Sequence, residues 1–161
     1  MGLRPWIGSE PVQVQPYEPS KKPEWFGAVY TPAYTGRIGP TPGSVWNVHS
    51  VNVYYGTDAN VADRTIVLAL NGGGFTTPEP AIYRIPTTLP AIVNSTARYS
   101  FAKGAGDSAY RIGNVPFEIH PLPDIELYDN MGFQLIGYNG QVGDSWIMNV
   151  YGYRYQGDRR Q

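Results

Sequence analysis

Proline placement is the tightest constraint on what this chain can fold into. Eight of its fifteen prolines fall within the first 44 residues: Pro5, Pro11, Pro16, Pro19, Pro23, Pro32, Pro40 and Pro42. Proline locks φ and lacks a backbone donor, which excludes a continuous helix or a central strand over this stretch. The pattern predicts an extended arm over residues 1–44 with much polyproline-like backbone. The arm carries Trp6, Tyr17, Trp25, Phe26, Tyr30 and Tyr34. Segments that stay unfolded are poor in aromatic residues. These six rings are therefore candidate interface residues, for which neighbouring subunits are a natural surface.

From residue 45 the pattern changes to short strands. Residues 45–55 are rich in Val, Tyr and Trp, and 64–70 (R-T-I-V-L-A-L) form a near-continuous apolar run that suits a strand buried on both faces. Residues 81–85 read as a short edge strand. In 96–102, Ala97, Tyr99 and Phe101 alternate with Arg98 and Ser100. In 115–120, Val115, Phe117 and Ile119 alternate in the same way with Glu118 and His120. Residues 133–138 and 145–155 read as a last pair, joined through the turn residues of 139–144 as a hairpin. Glycine and proline break nearly every helical window, and at most one helical turn fits near 59–63. Six to eight strands with turn signals every 8–15 residues predict an all-β domain, a β-sandwich or jelly roll over 45–155, with a polar tail at 156–161.

Two glycine-rich pieces invite an enzymatic reading. Asn71-Gly72-Gly73-Gly74-Phe75 is similar to the oxyanion loop of esterases, and Gly106-Asp107-Ser108-Ala109 to their nucleophile elbow. The elbow needs Gly two residues after the serine, where Tyr110 stands, and a helix that 111–116 cannot supply. His120 also precedes the carboxylates Asp124, Asp129 and Asp144, against the order of that triad. Both pieces read as β-turns. His49 and His120 lie far apart with no marked third ligand for zinc. Asp124, Glu126, Asp129 and Asn130 match no EF-hand spacing and read as a solvated strand entry rather than a calcium site. The sequence therefore predicts no catalytic residue, cofactor or metal.

The final strand is more informative. Trp146, Met148 and Val150 fall on one face; Ile147, Tyr151, Tyr153 and Tyr155 fall on the other. That second set reads as burial within the chain's own sandwich, as an interface row facing a neighbouring subunit, or as a sugar-stacking platform. A net charge of −1 and only two basic doublets, Lys21-Lys22 and Arg159-Arg160, argue against nucleic acid. No apolar run approaches the ~18 residues of a membrane span, and the first residues lack the apolar core of a secretion signal. The absence of cysteine excludes disulfides and thiolate metal sites.

The C-terminal part is similar to one known group. Leu122-Pro123-Asp124-Ile125-Glu126-Leu127, Gly132-Phe133-Gln134-Leu135-Ile136 and Gln141-Val142-Gly143-Asp144-Ser145-Trp146 follow at short spacing. This resembles small virion proteins of tailed bacteriophages, whose jelly-roll-like domains end in an L-P…L…G-x-x-hydrophobic…N…G-D-x-W hairpin. Val45-Trp46-Asn47-Val48 and Arg64-Thr65-Ile66-Val67-Leu68 fit the same layout. The final Tyr151-Gly152-Tyr153-Arg154-Tyr155 departs from it, since an acidic residue and Trp are more usual there. The resemblance implies a capsid cement or decoration protein, trimeric, located in the virion and bound to the major capsid protein or other virion proteins. A head–tail connector, tail or fibre-anchoring protein is the first alternative, and a carbohydrate-binding module the second.

Overall fold

A computed structural model describes residues 24–30, 37–72, 81–128 and 130–156. The arm residues Trp6, Tyr17 and Tyr34, and most of the 156–161 tail, lie outside them. Among the described residues there is no helix. The strands are β1 (Glu24–Tyr30), β2 (Arg37–Ile38), β3 (Ser44–Gly56), β4 (Thr65–Gly72), β5 (Ala81–Pro86), β6 (Thr96–Lys103), β7 (Ser108–Ile112), β8 (Val115–Leu122), β9 (Glu126–Leu127), β10 (Met131–Tyr138) and β11 (Ser145–Gln156). They form two packed sheets. One runs β1-β11-β3-β6-β8-β7, with β9 also paired to β3; the other runs β2-β10-β4-β5. Among the described strands every pairing is antiparallel except β6 with β8.

Period-2 alternation builds the core. Val51, Val53 and Tyr55 of β3, Ala97, Tyr99 and Phe101 of β6, and Trp146, Met148 and Val150 of β11 point inward from the larger sheet. Ile66, Leu68 and Leu70 of β4, with Phe133 and Leu135 of β10, meet them from the smaller one. The apolar run of β4 is enclosed on both sides, as its composition requires, since Val67 and Ala69 are buried too.

Three expectations are corrected. First, β10 and β11 are not a hairpin. They belong to different sheets, and residues 139–144 arch between the layers. The cause is Asp144, whose buried carboxylate accepts from Tyr55 Oη (2.9 Å), Arg64 Nε (2.8 Å) and the amides of Asp58 (2.9 Å) and Gln141 (2.7 Å). Second, the alternation of β8 runs with its polar residues toward the core. Glu118 and His120 are buried, while Phe117 and Ile119 face outward. Third, the turn expected at 106–109 leads directly into a strand, β7, all of whose residues are exposed. Gly113 (φ +60°) and Asn114 then form the two-residue turn into β8.

The proline-rich segment also contributes to the sheets. β1 occupies a proline-free stretch and pairs along β11, with Trp25 opposite Tyr151, Phe26 opposite Val150 and Tyr30 opposite Trp146. Ile38 of β2 pairs with Phe133. These stretches therefore find a surface within their own chain.

Where β11 continues along β3 the register slips once. Tyr151 pairs with Ser50 and Gly152 with Val48, leaving His49 as the extra residue of a bulge. A Cβ on Gly152 would sit 2.2 Å from the Asn47 carbonyl oxygen and 3.0 Å from the Val48 Cα, both backbone atoms that cannot rotate away. Gly152→Ala is expected to cost about 1–3 kcal/mol, the range for overpacking a tight site. A denaturant midpoint unchanged from wild type would show that the bulge relaxes freely.

Candidate interaction surface

The outer face of the larger sheet is where its alternation leaves side chains in solvent. Register places Ile147 of β11 beside Tyr54 of β3, Tyr54 beside Arg98 of β6, Arg98 beside Phe117 of β8, and Phe117 beside Tyr110 of β7. One row thus crosses five strands, a span of ~19 Å at ~4.8 Å per interval. The side chains stack along it. The Arg98 guanidinium lies 5.8 Å from the Tyr54 ring centre and 5.4 Å from that of Phe117. Phe117 and Tyr110 are 5.4 Å apart and parallel to within 3°. Cation–π and ring–ring contacts of this kind hold each member in one orientation. Ile147 and Tyr54 are each 40% exposed and Tyr110 47%, so the row is ordered yet open to solvent.

A second aromatic group lies farther along β11. Tyr151 and Tyr153 both meet the bulged His49 edge-on, at 6.5 and 5.1 Å between ring centres. Between the two groups runs a polar strip, where Ser100 donates to Asn52 Oδ1 (2.8 Å) and Asn52 Nδ2 reaches Ser50 Oγ (3.4 Å). The expected outward set of β11 is thus divided. Ile147 joins the stacked row, Tyr151 and Tyr153 join His49, and Tyr155 is the register partner of Val45. Sequence reasoning missed Tyr54, Arg98, Phe117 and Tyr110. Each is visible as an alternate position of a strand, but only cross-strand register makes them neighbours.

Two polar clusters hold the sheets beneath this surface. In one, the carboxylate of Asp144 is held below the usual range. Burial alone would raise it, but the donors from Gln141, Asp58, Arg64 and Tyr55 outweigh that. Arg64, with no side-chain exposure, spends its remaining donors on Asp58 and the Ala62 carbonyl (3.1 Å). The phenol of Tyr55 is raised, by burial first and then by its bond to Asp144. In the other cluster, Glu118 accepts from the Thr88 amide (2.8 and 3.0 Å) and hydroxyl (3.1 Å), and from the Leu89 amide. His120 sits with Nε2 2.7 Å from Glu118 and Nδ1 3.0 Å from Asp107, its ring stacked on Phe101.

The pieces that invited a catalytic or metal reading are dispersed. Asn71 and Gly72 end β4 in the smaller sheet, while Ser108 opens β7 in the larger one, and residues 73–80 lie outside the described set. His49 is on the outer face and His120 is buried. Asp124 is ion-paired with Lys103, Glu126 accepts from Tyr128 Oη (3.3 Å), and Asp129 lies outside the described residues. Among the described residues no three His, Asp or Glu side chains group as metal ligands. No protein-family model matches the chain, and no curated protein matches it significantly.

Proposed function

We propose that this chain is a structural virion protein of a tailed bacteriophage, a jelly-roll relative that binds the capsid shell as a cement or decoration protein. The observation that carries the reading is the stacked row from Ile147 to Tyr110 on the open face of the larger sheet. Its aromatic and arginine content is that of an interface centre. Its members are held in place before any partner arrives, which lowers the ordering cost of docking. The partner on this reading is the major capsid protein, and the oligomer a trimer.

At Phe117 the packing disfavours the carbohydrate alternative, since a sugar stacks on an open ring face and both Tyr110 and Arg98 pack against this ring.

The test uses expanded shells of the cognate major capsid protein and the purified full chain. Wild type is expected to bind. Arg98→Ala, which removes the centre of the row, is expected to weaken binding by about thirtyfold, the equivalent of one ~2 kcal/mol anchor. Val142→Ala, in an exposed loop, should bind as wild type does. Equal binding by Arg98→Ala and wild type would remove the outer face from the reading, and no binding by wild type would remove the reading itself.

A further inference from the structure

The two edges of the larger sheet differ in how they are finished. β1 closes one side. At the other, β7 pairs with β8 only, and among the described residues no strand lies on its outer side. In an antiparallel strand every second residue directs its N–H and C=O away from its partner, and among the described residues nothing pairs with these outward groups of β7. The usual guards of such an edge are missing. β7 contains no proline or lysine, and its one charge, Arg111, is turned onto the carbonyls of Pro90 (2.8 Å) and Asn114 (3.5 Å). Tyr110 (47% exposed) and Ile112 (63% exposed) flank the edge on the outer face, and Tyr110 ends the stacked row.

The chain carries a segment suited to this edge. Before β1, residues 12–15 read Val-Gln-Val-Gln, bounded by Pro11 and Pro16. Strict alternation over four residues is strand grammar, and the flanking prolines set its length close to the five residues of β7. We propose that residues 12–15 of a neighbouring copy add to β7 as a further strand, with Val12 and Val14 beside Tyr110 and Ile112. This is strand addition at an open edge, with backbone hydrogen bonds giving affinity and alternate side chains giving register. It rests on the reading of this chain as an assembly component, and supplies its self-contact.

A neighbouring copy is favoured over the chain's own arm by the sheet order. β1, which follows the segment, lies at the opposite edge, five strand intervals or ~24 Å away. Nine residues from 15 to 24 reach ~30 Å at full extension, so bridging that distance within one chain requires a nearly straight path across a face of the sheet. The inner face is core, and the outer face leaves Ile147 and Tyr54 exposed along that route. A contact from arm to edge between copies joins two different surfaces, so it closes a ring where the rotation permits.

The chain has no cysteine, which makes cross-linking free of background. Full-length Val14→Cys and full-length Tyr110→Cys chains are mixed and oxidised, with Ile112→Cys as a second acceptor variant. The mixed cross-linked dimer is expected to exceed either homodimer by about tenfold, because strand addition raises the local thiol concentration. Sedimentation of wild type should show self-association that Val14→Pro abolishes. A statistical mixture of dimers with both acceptors would overturn the proposal. So would a chain bearing both cysteines that closes on itself at high dilution. Shell binding is measured on the same wild-type preparation. Binding retained without cross-linking sinks only strand addition, whereas absent binding sinks the virion reading while leaving any cross-link intact.

Discussion

The Asp144→Ala variant is expected to unfold about 3–5 kcal/mol more readily than wild type, the cost of removing one partner of a buried ion pair. Asp144 and Arg64 have no side-chain exposure, so neither charge can fall back on water. Without the carboxylate, Arg64 keeps Asp58 and one carbonyl, while Tyr55 and the amides of Asp58 and Gln141 lose their acceptor. These donors come from the β3 end, the approach to β4 and the entry to β11, so the change loosens both sheets at once. The effect carries a pH signature. The Asp144 carboxyl is held below its unfolded value, so its contribution is complete above about pH 4 and fades as the pH falls through the lowered folded value. The gap between wild type and Asp144→Ala should therefore narrow on acidification below about pH 4. Urea midpoints measured across that range test this, and a gap independent of pH would contradict the assignment. An Arg64→Met, Asp144→Leu pair, which removes both charges, should recover part of the loss.

Glu118→Ala carries the second largest expected effect, about 3 kcal/mol, from leaving several donors without their acceptor. Glu118 is a tie between layers. It belongs to β8 in the larger sheet, and the Thr88 and Leu89 groups it binds follow β5 of the smaller one. The neighbouring Thr87 bonds through Oγ1 to the amide (3.2 Å) and carbonyl (3.1 Å) of Ile66 in β4. Removing the carboxylate should release the 87–90 segment. Hydrogen exchange would register this as faster exchange of the Thr88 and Leu89 amides, in excess of the global change. Uniform acceleration across all strands would mean that Glu118 merely adds to general stability.

Strands governed by apolar pattern were legible in the sequence. β4 could be read from its unbroken Ile66 to Leu70 run, and β6 from the alternation of Ala97, Tyr99 and Phe101. Strands governed by polar partners were not. β8 reads as apolar-inward because Glu118 and His120 look like solvent residues, until Thr88, thirty residues upstream, and Asp107, thirteen upstream, satisfy them. The arch before β11 carries the same turn residues as a hairpin. Its distinguishing contacts, from Asp144 to Tyr55 and Arg64, span 89 and 80 residues. β1 was hidden by the prolines at positions 23 and 32, which bracket a clean stretch with one strand's worth of large side chains. On the outer face, the last-strand residues Ile147, Tyr151 and Tyr153 were visible as a set. Their split into two groups depends on the cross-strand neighbours they meet, Tyr54 for Ile147 and the bulged His49 for Tyr151 and Tyr153, and Gly152 is the one sign of that bulge in the strand.

Among the described strands the one parallel pairing, β6 with β8, makes β7 and β8 depend on each other. After Lys103 the chain passes over the place beside β6, lays β7 one position farther out, and turns back to fill the gap with β8. β7 has nothing to lean on until β8 exists, and β8 reaches β6 only by bringing β7 with it. The two strands and their two-residue turn therefore nucleate together, on the ~1–10 μs scale of local hairpins, and dock as a finished piece. The slower search for distant pairings is left to the long strands at the centre.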